Sequence, residues 1–292
     1  MREIFIDDAP SLIELPASLV SSTTGGHPEY DDLVVIWVTP AETNQIPSKA
    51  NYIVNPERIE EGEWSASDFT YSVVGETSTI TGFTNAGAGK VLGGVFPVVF
   101  PEKDDAGNII VAIANGAFSG AGVKEADFSQ MSGLKTIGAS AFANNGIEYL
   151  DLSNLTQLEV IDTSAFAGNR ITELDFTTNG ALRQINDSAF ANNCLVTVDL
   201  TGAEKLGRIG RSAFENNNDL ANLLFGYHPE LTVIDQNAFQ KSTSTARARI
   251  ASVDLSGMPN LKQIGYRAFN FAGIEEINLR RLRSLETITA NA

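Results

Sequence analysis

The chain of 292 residues holds one cysteine, Cys194, and two histidines, His27 and His228. A single thiol excludes an intramolecular disulfide framework. Neither histidine stands in an H-x-x-x-H or C-x-x-C spacing, nor beside a nucleophile in a recognisable motif. No metal, cofactor or catalytic constellation is therefore expected, and the chain is not read as an enzyme. Basic residues are also scarce: 20 Lys and Arg stand against 36 Asp and Glu, for a formal net charge of −16. Nucleic acid and anionic membranes demand a basic face, so neither is expected as a partner. No apolar run is long enough for a membrane-spanning helix. Met1-Arg2-Glu3-Ile4-Phe5 does not open a signal peptide either, because no apolar stretch of adequate length follows.

What is present is a period. An Ala-Phe pair recurs at Phe118, Phe142, Phe166, Phe190, Phe214, Phe239 and Phe269, with gaps of 24, 24, 24, 24, 25 and 30. An isoleucine precedes each phenylalanine by five residues, at Ile113, Ile137, Ile161, Ile185, Ile209, Ile234 and Ile264. After each Phe come apolar slots such as Ile147, Leu150 and Leu152, or Ile171, Leu174 and Phe176. The last two slots lie two residues apart, which is strand periodicity. Leu158 and Ile161 imply a second extended segment on the opposite wall of a coil. Asn and Gly at the corners tolerate the left-handed conformation that tight reversals need. One coil cannot bury its own Leu, Ile and Phe, but stacked coils can. The fold class expected is a β-rich solenoid of about seven coils with parallel strands.

The pattern L-x-x-I-x-x-x-A-F followed by [IL]-x-x-[LV]-x-[LF] resembles the BspA-like leucine-rich repeat family of bacterial surface proteins. Where that family often has Pro after the strand, this chain has Ser129, Ser153, Thr177, Thr201 and Ser256. The resemblance covers residues 96–292 and implies an extracellular or cell-surface protein that binds or adheres. The family is defined by its scaffold, so the ligand is not implied. Cys194 falls at a coil corner where the family often places Cys, and is expected to be a small buried hydrophobe.

The flanks read differently. Residues 1–64 lie outside the repeat and form a β-rich region with a linker. Short strands are expected at residues 3–7, 12–15 and 33–38, with a turn-rich stretch at 21–28 and a proline-rich extended connection at 39–56. Residues 65–95 contain D-F-T-Y-S-V-V, a G-E-T-S turn and T-I-T-G-F, which read as a β-hairpin covering the open edge of the first coil. Within them A-G-A-G-K-V (residues 86–91) lacks the spacing of a phosphate loop and is expected to be a flexible loop. The cluster Asp104-Asp105-x-Gly107-Asn108 lacks the alternating ligands of a calcium loop and is expected to be a turn. Residues 96–292 are the array, which stops in its eighth repeat one residue before the next Phe would fall. The chain is accordingly expected to be a fragment of a longer protein.

Two copies break the rhythm. The fifth carries one extra residue after its Phe. The sixth carries about six, in Q-K-S-T-S-T-A-R-A-R (residues 240–249), a basic insertion of the kind that maps to one edge of a solenoid. From Lys241 onward the net charge is +4, against −20 before it.

A surface remains. The central outward column of the strands reads Asp127, Asp151, Asp175, Asp199, Leu224, Asp254 and Asn278, with Tyr149 among the residues flanking it. Two readings of the aspartates stand: a structural ladder bonded to neighbouring Ser, Thr and backbone groups, or an acidic track for a basic protein segment or cations. At Leu224, with Tyr227 just beyond it, the charge column is interrupted by an apolar residue. Leu224 and Tyr227, with Asp199 and Asp254 beside them and Asp175, Asp151 and Tyr149 along the same face, are the candidate partner-binding residues. The expected function is a protein- or peptide-binding surface module, monomeric and not inserted in a membrane. The alternative is a spacer that presents another domain and has no ligand of its own.

Overall fold

The computed structural model describes residues 2–6, 34–38, 52–55, 64–94, 96–242 and 248–292. The chain divides into two compact units, Met1–Gly62 and Glu63–Ala292. In the first, β1 (Arg2–Ile6), β2 (Val34–Val38) and β3 (Tyr52–Asn55) form a parallel sheet in that order, with Arg2 beside Val34 and Val34 beside Tyr52. The third strand falls inside the stretch read from its prolines as an extended connection. Its run of Tyr, Ile and Val favours a pleated surface. The strand expected at 12–15, the turn at 21–28 and His27 lie outside the described residues.

The second unit opens on an antiparallel hairpin, β4 (Phe69–Val74) and β5 (Thr77–Phe83), turned at Gly75 with φ +65°. The stretch expected to be a flexible loop is instead a helix, α1 (Asn85–Leu92). Thr84 caps it by accepting the Gly87 N–H at 3.3 Å. Lys90 reaches the buried Asp68 carboxylate at 2.8 Å. A Cβ at Gly87 would stand 2.2 Å from the Asp68 carbonyl, so only glycine lets the helix pack this closely. These tertiary contacts outweigh the poor helix propensity of two glycines.

Two walls of short strands follow. On one, β6 (Val98–Val99) begins a series continued at Glu125–Asp127, Tyr149–Leu150, Glu173–Asp175, Thr197–Asp199, Asn222–Leu224, Ser252–Asp254 and Glu276–Asn278. On the other, β7 (Ile109–Ile113) begins a series of two-residue strands that end on the periodic isoleucines, from Thr136–Ile137 to Thr287–Ile288. The eight strands of this isoleucine wall and the two of the hairpin form one continuous ten-stranded sheet. The N-terminal edge of the wall is covered by the hairpin, whose β5 runs parallel to β7 with Ile80 beside Ile113. The first coil is thereby paired, and β4 becomes the outer strand of the sheet. The aspartate wall is broken into ladders of three, three and two strands.

The phenylalanines stack along the centre. Phe142, Phe166 and Phe190 have ring centroids 5.3 and 5.4 Å apart with planes within 5° and 4° of parallel. The stack continues through Phe214, Phe239 and Phe269. Just before each Ala-Phe, Ser140, Ser164, Ser188 and Ser212 take φ of 54–57°. That left-handed geometry costs a non-glycine residue about 1–2 kcal/mol. Hydrogen bonds from each coil to the next offset it, such as Ser140 N–H to Thr163 O at 2.8 Å and Phe142 N–H to Ala165 O at 2.8 Å.

A column of asparagines closes the opposite corner. Asn169 and Asn193 are buried, and each donates its amide to two phenylalanine carbonyls and accepts one backbone N–H from the preceding coil. Asn193 takes this inward position, so the adjacent Cys194 points outward and is exposed. The burial expected for Cys194 is therefore corrected. Asp104 accepts the N–H groups of Ala106 and Asn108 and the Asn108 side-chain amide, which fixes a turn.

Candidate binding surface

Each column residue ends a strand or, at Asp151, directly follows one. Asp127, Asp151, Asp175, Asp199 and Asp254 all accept, at Oδ1, the backbone N–H two residues on, at 2.7–2.9 Å. Asn278 does the same for Arg280 at 3.1 Å. This is the Asx-turn, in which a short polar side chain mimics a backbone turn. The Ser256 bonds are the main reason the Asp254 carboxyl is held below its ordinary range, with Asn278 and Arg281 adding to the effect. Elsewhere charges pair across coils, as Arg208 does with Asp187 and Asp235 at 2.8 and 2.9 Å. Among the described residues, no column carboxylate takes part in an ion pair. The column is thus structural through Oδ1 and still presents unneutralised charge to solvent.

The fifth copy solves the same problem differently. Leu224 has no acceptor, and its side chain is 46% exposed. The N–H two residues on, at Gly226, is instead taken by His228 Nε2 at 3.3 Å. The other ring nitrogen, Nδ1, lies 2.9 Å from the Ala203 carbonyl of the preceding coil. A carbonyl only accepts, so Nδ1 carries the proton and Nε2 is the acceptor. His228 is wholly buried, and burial pushes its pKa below the ordinary value of 6.5. Its own N–H donates to Gly257 O at 2.9 Å, tying the corner to the next coil. A Cβ at Gly226 would lie 2.7 Å from Thr201 O, so glycine is needed where other copies carry Ser or Thr. Leu224, Gly226 and His228 form one linked set, with Tyr227 between them 59% exposed.

The candidate residues are distributed over three ladders. Asp175, Asp199 and Leu224 are direct neighbours in register. Asp254 lies across a break in the wall and pairs with Asn278. Tyr149 pairs with Glu125, and with Asp151 it lines an open cleft of about 230 Å³ whose other walls include Pro97 and Asp127. The basic insertion is only partly described, since residues 243–247 are outside the described set. Lys241 is not a surface charge: it is 1% exposed and donates to the carbonyls of Leu220 and Ala248 at 2.5 and 2.9 Å. Burial pushes its pKa down. The ammonium ties Ala248 to Leu220.

His228 was not among the candidate partner-binding residues. Its signal was a histidine four residues after Leu224, the one apolar residue in the aspartate column. Among the described residues, no group of three or more His, Cys, Asp or Glu side chains is placed to hold a metal ion.

Stacked coils with an isoleucine wall, an aspartate wall and a phenylalanine spine define a leucine-rich repeat solenoid. The family model for the BspA type leucine rich repeat region matches residues 105–221 and 179–292, and the chain belongs to that family. No curated protein sequence matches it. Among solved structures, a leucine-rich repeat protein from Bacteroides ovatus is 14% identical, with 78% of this chain and 70% of that one covered and a TM-score of 0.41. The pneumococcal vaccine antigen PcpA is 17% identical over 74% of this chain and 49% of its own, with a TM-score of 0.37. A leucine rich cell surface protein from Faecalibacterium prausnitzii is 13% identical over 78% and 54%, with a TM-score of 0.36. The chain thus spans about half the length of the latter two.

Proposed function

We propose that the chain is a non-enzymatic, cell-surface protein-binding module whose ligand, a protein or peptide, seats on the aspartate wall around Leu224 and Tyr227. One observation carries this reading. The capping duty of the missing aspartate has passed to His228, so the corner is fully formed while position 224 presents an apolar side chain. Drift in an unused repeat accounts for a lost aspartate, but not for a buried replacement that keeps the turn intact. An exposed apolar anchor flanked by Asp199 and Asp254 matches the anatomy of an interface centre. The carboxylates set orientation and encounter rate for a ligand that carries basic residues around an apolar one. Tyr149 and Asp151 extend the same face toward the first coils.

The experiment is affinity capture of extracellular proteins on the immobilised chain, compared with Leu224→Asp and with the control Glu276→Gln. A ligand depleted at least tenfold by Leu224→Asp and retained by the control supports the site. Identical captured sets on all three surfaces would favour a spacer.

A further inference from the structure

The aspartate-capped corners and the histidine-capped corner respond differently to acid. Carboxylates stay ionised down to about pH 4, whereas imidazole ordinarily takes a proton near 6.5. His228 holds its turn as an acceptor at Nε2 while Nδ1 donates to Ala203 O. A second proton would go to Nε2, which would then face the Gly226 N–H donor to donor inside a wholly buried site. Neither bond partner can adapt, because both belong to the backbone.

We propose that His228 makes the corner at 224–228 an acid-sensitive latch, holding Leu224 and Tyr227 in place near neutral pH and releasing them as the imidazole protonates. This rests on the reading of Leu224 and Tyr227 as a docking point.

The titratable groups around the ring come from three coils. On the preceding coil Glu204 faces the ring and favours its proton, but burial outweighs that field. Lys205 follows Glu204, and Asp199 on that coil is engaged with Thr201. On the following coil, residues 256–260 hold no ionisable side chain, and Asp254 is engaged with Ser256. On the same coil the ionisable neighbours are Tyr227 and Glu230. The closed corner holds the imidazole pKa below 6.5, and an opened corner returns it to the ordinary value. Opening therefore becomes easier as pH falls below about 6.5, and the effect levels off at the lowered closed-state value.

The test is amide hydrogen exchange read by NMR on the full chain without ligand, together with titration of the imidazole resonances. The protection factor of the Gly226 amide should fall about tenfold per pH unit within that window, the slope of one linked proton. The amides of Ser153, Thr177 and Thr201, capped by carboxylates, should hold constant over the same range. His228→Gln, which keeps a neutral acceptor, should flatten the Gly226 profile. A Gly226 protection factor unchanged between pH 7 and 5, or one that falls in step with Ser153 and Thr201, would overturn the latch. So would a slope that survives in His228→Gln. Because the chain is unliganded, this experiment reports on the corner alone and the capture experiment on binding alone, so failure of the one is distinguishable from failure of the other.

Discussion

Replacing His228 by alanine removes both bonds of the buried imidazole and strands the Gly226 N–H, while the Ala203 carbonyl keeps the Leu206 N–H at 2.9 Å. A buried backbone group left unpaired costs about 1–3 kcal/mol. The cavity left by a wholly buried ring adds to this, so His228→Ala is expected to lose about 3 kcal/mol. Leu224→Asp alone should change stability by less than about 0.5 kcal/mol, since the position is exposed and the Gly226 N–H is already paired. In the His228→Ala background the same aspartate recreates the cap of the other coils. It should then recover about 1 kcal/mol, the net worth of one such bond. The assay is urea unfolding of all four chains at pH 7.5, with exchange of the Gly226 amide as the local readout, because repeat arrays open coil by coil. Independent sites add to within about 0.5 kcal/mol. If the two substitutions add within that margin, and Gly226 exchanges equally fast with and without the new aspartate, then His228 and the column do not share a turn.

Phe166→Ala should cost about 3–5 kcal/mol in the same unfolding assay, because a wholly buried ring stacked on two neighbours leaves a cavity that rigid coils close poorly. A loss under about 1 kcal/mol would remove Phe166 from the core. Lys241→Met should destabilise by about 2 kcal/mol, through the unpaired carbonyls of Leu220 and Ala248, with faster exchange confined to the coils around the insertion. An unchanged exchange pattern there would mean that the ammonium does not hold the insertion.

The coil period, both strand walls and the phenylalanine spine were legible in the sequence because a solenoid repeats its physics. A residue type that recurs every coil occupies one place in space, and its spacing reads as geometry. The bonding of the aspartates to neighbouring backbone was one of two readings the sequence left open, and it takes the form of an Asx-turn in each of these coils. His228 was not. Its two partners lie 2 and 25 residues away, and only stacking brings Ala203 O to the ring. The helix at Asn85–Leu92 was hidden by its glycines, of which Gly87 serves close approach to Asp68 and not flexibility. Lys241 read as surface charge by composition, and its burial comes with its bonds to the carbonyls of Leu220 and Ala248, 21 and 7 residues away. Cys194 read as buried because small apolar residues usually are, and here Asn193 takes the inward place.

The central claim is that the break in the aspartate column is where the ligand sits. Site-directed photo-crosslinking tests it most directly, with a benzophenone side chain placed in turn at positions 224, 173 and 276 and the full chain exposed to extracellular protein at neutral pH. The expected result is one discrete adduct from position 224, weakened by raised salt through the flanking carboxylates, and little or none from 173 and 276. Equal, diffuse labelling from all three positions would contradict it.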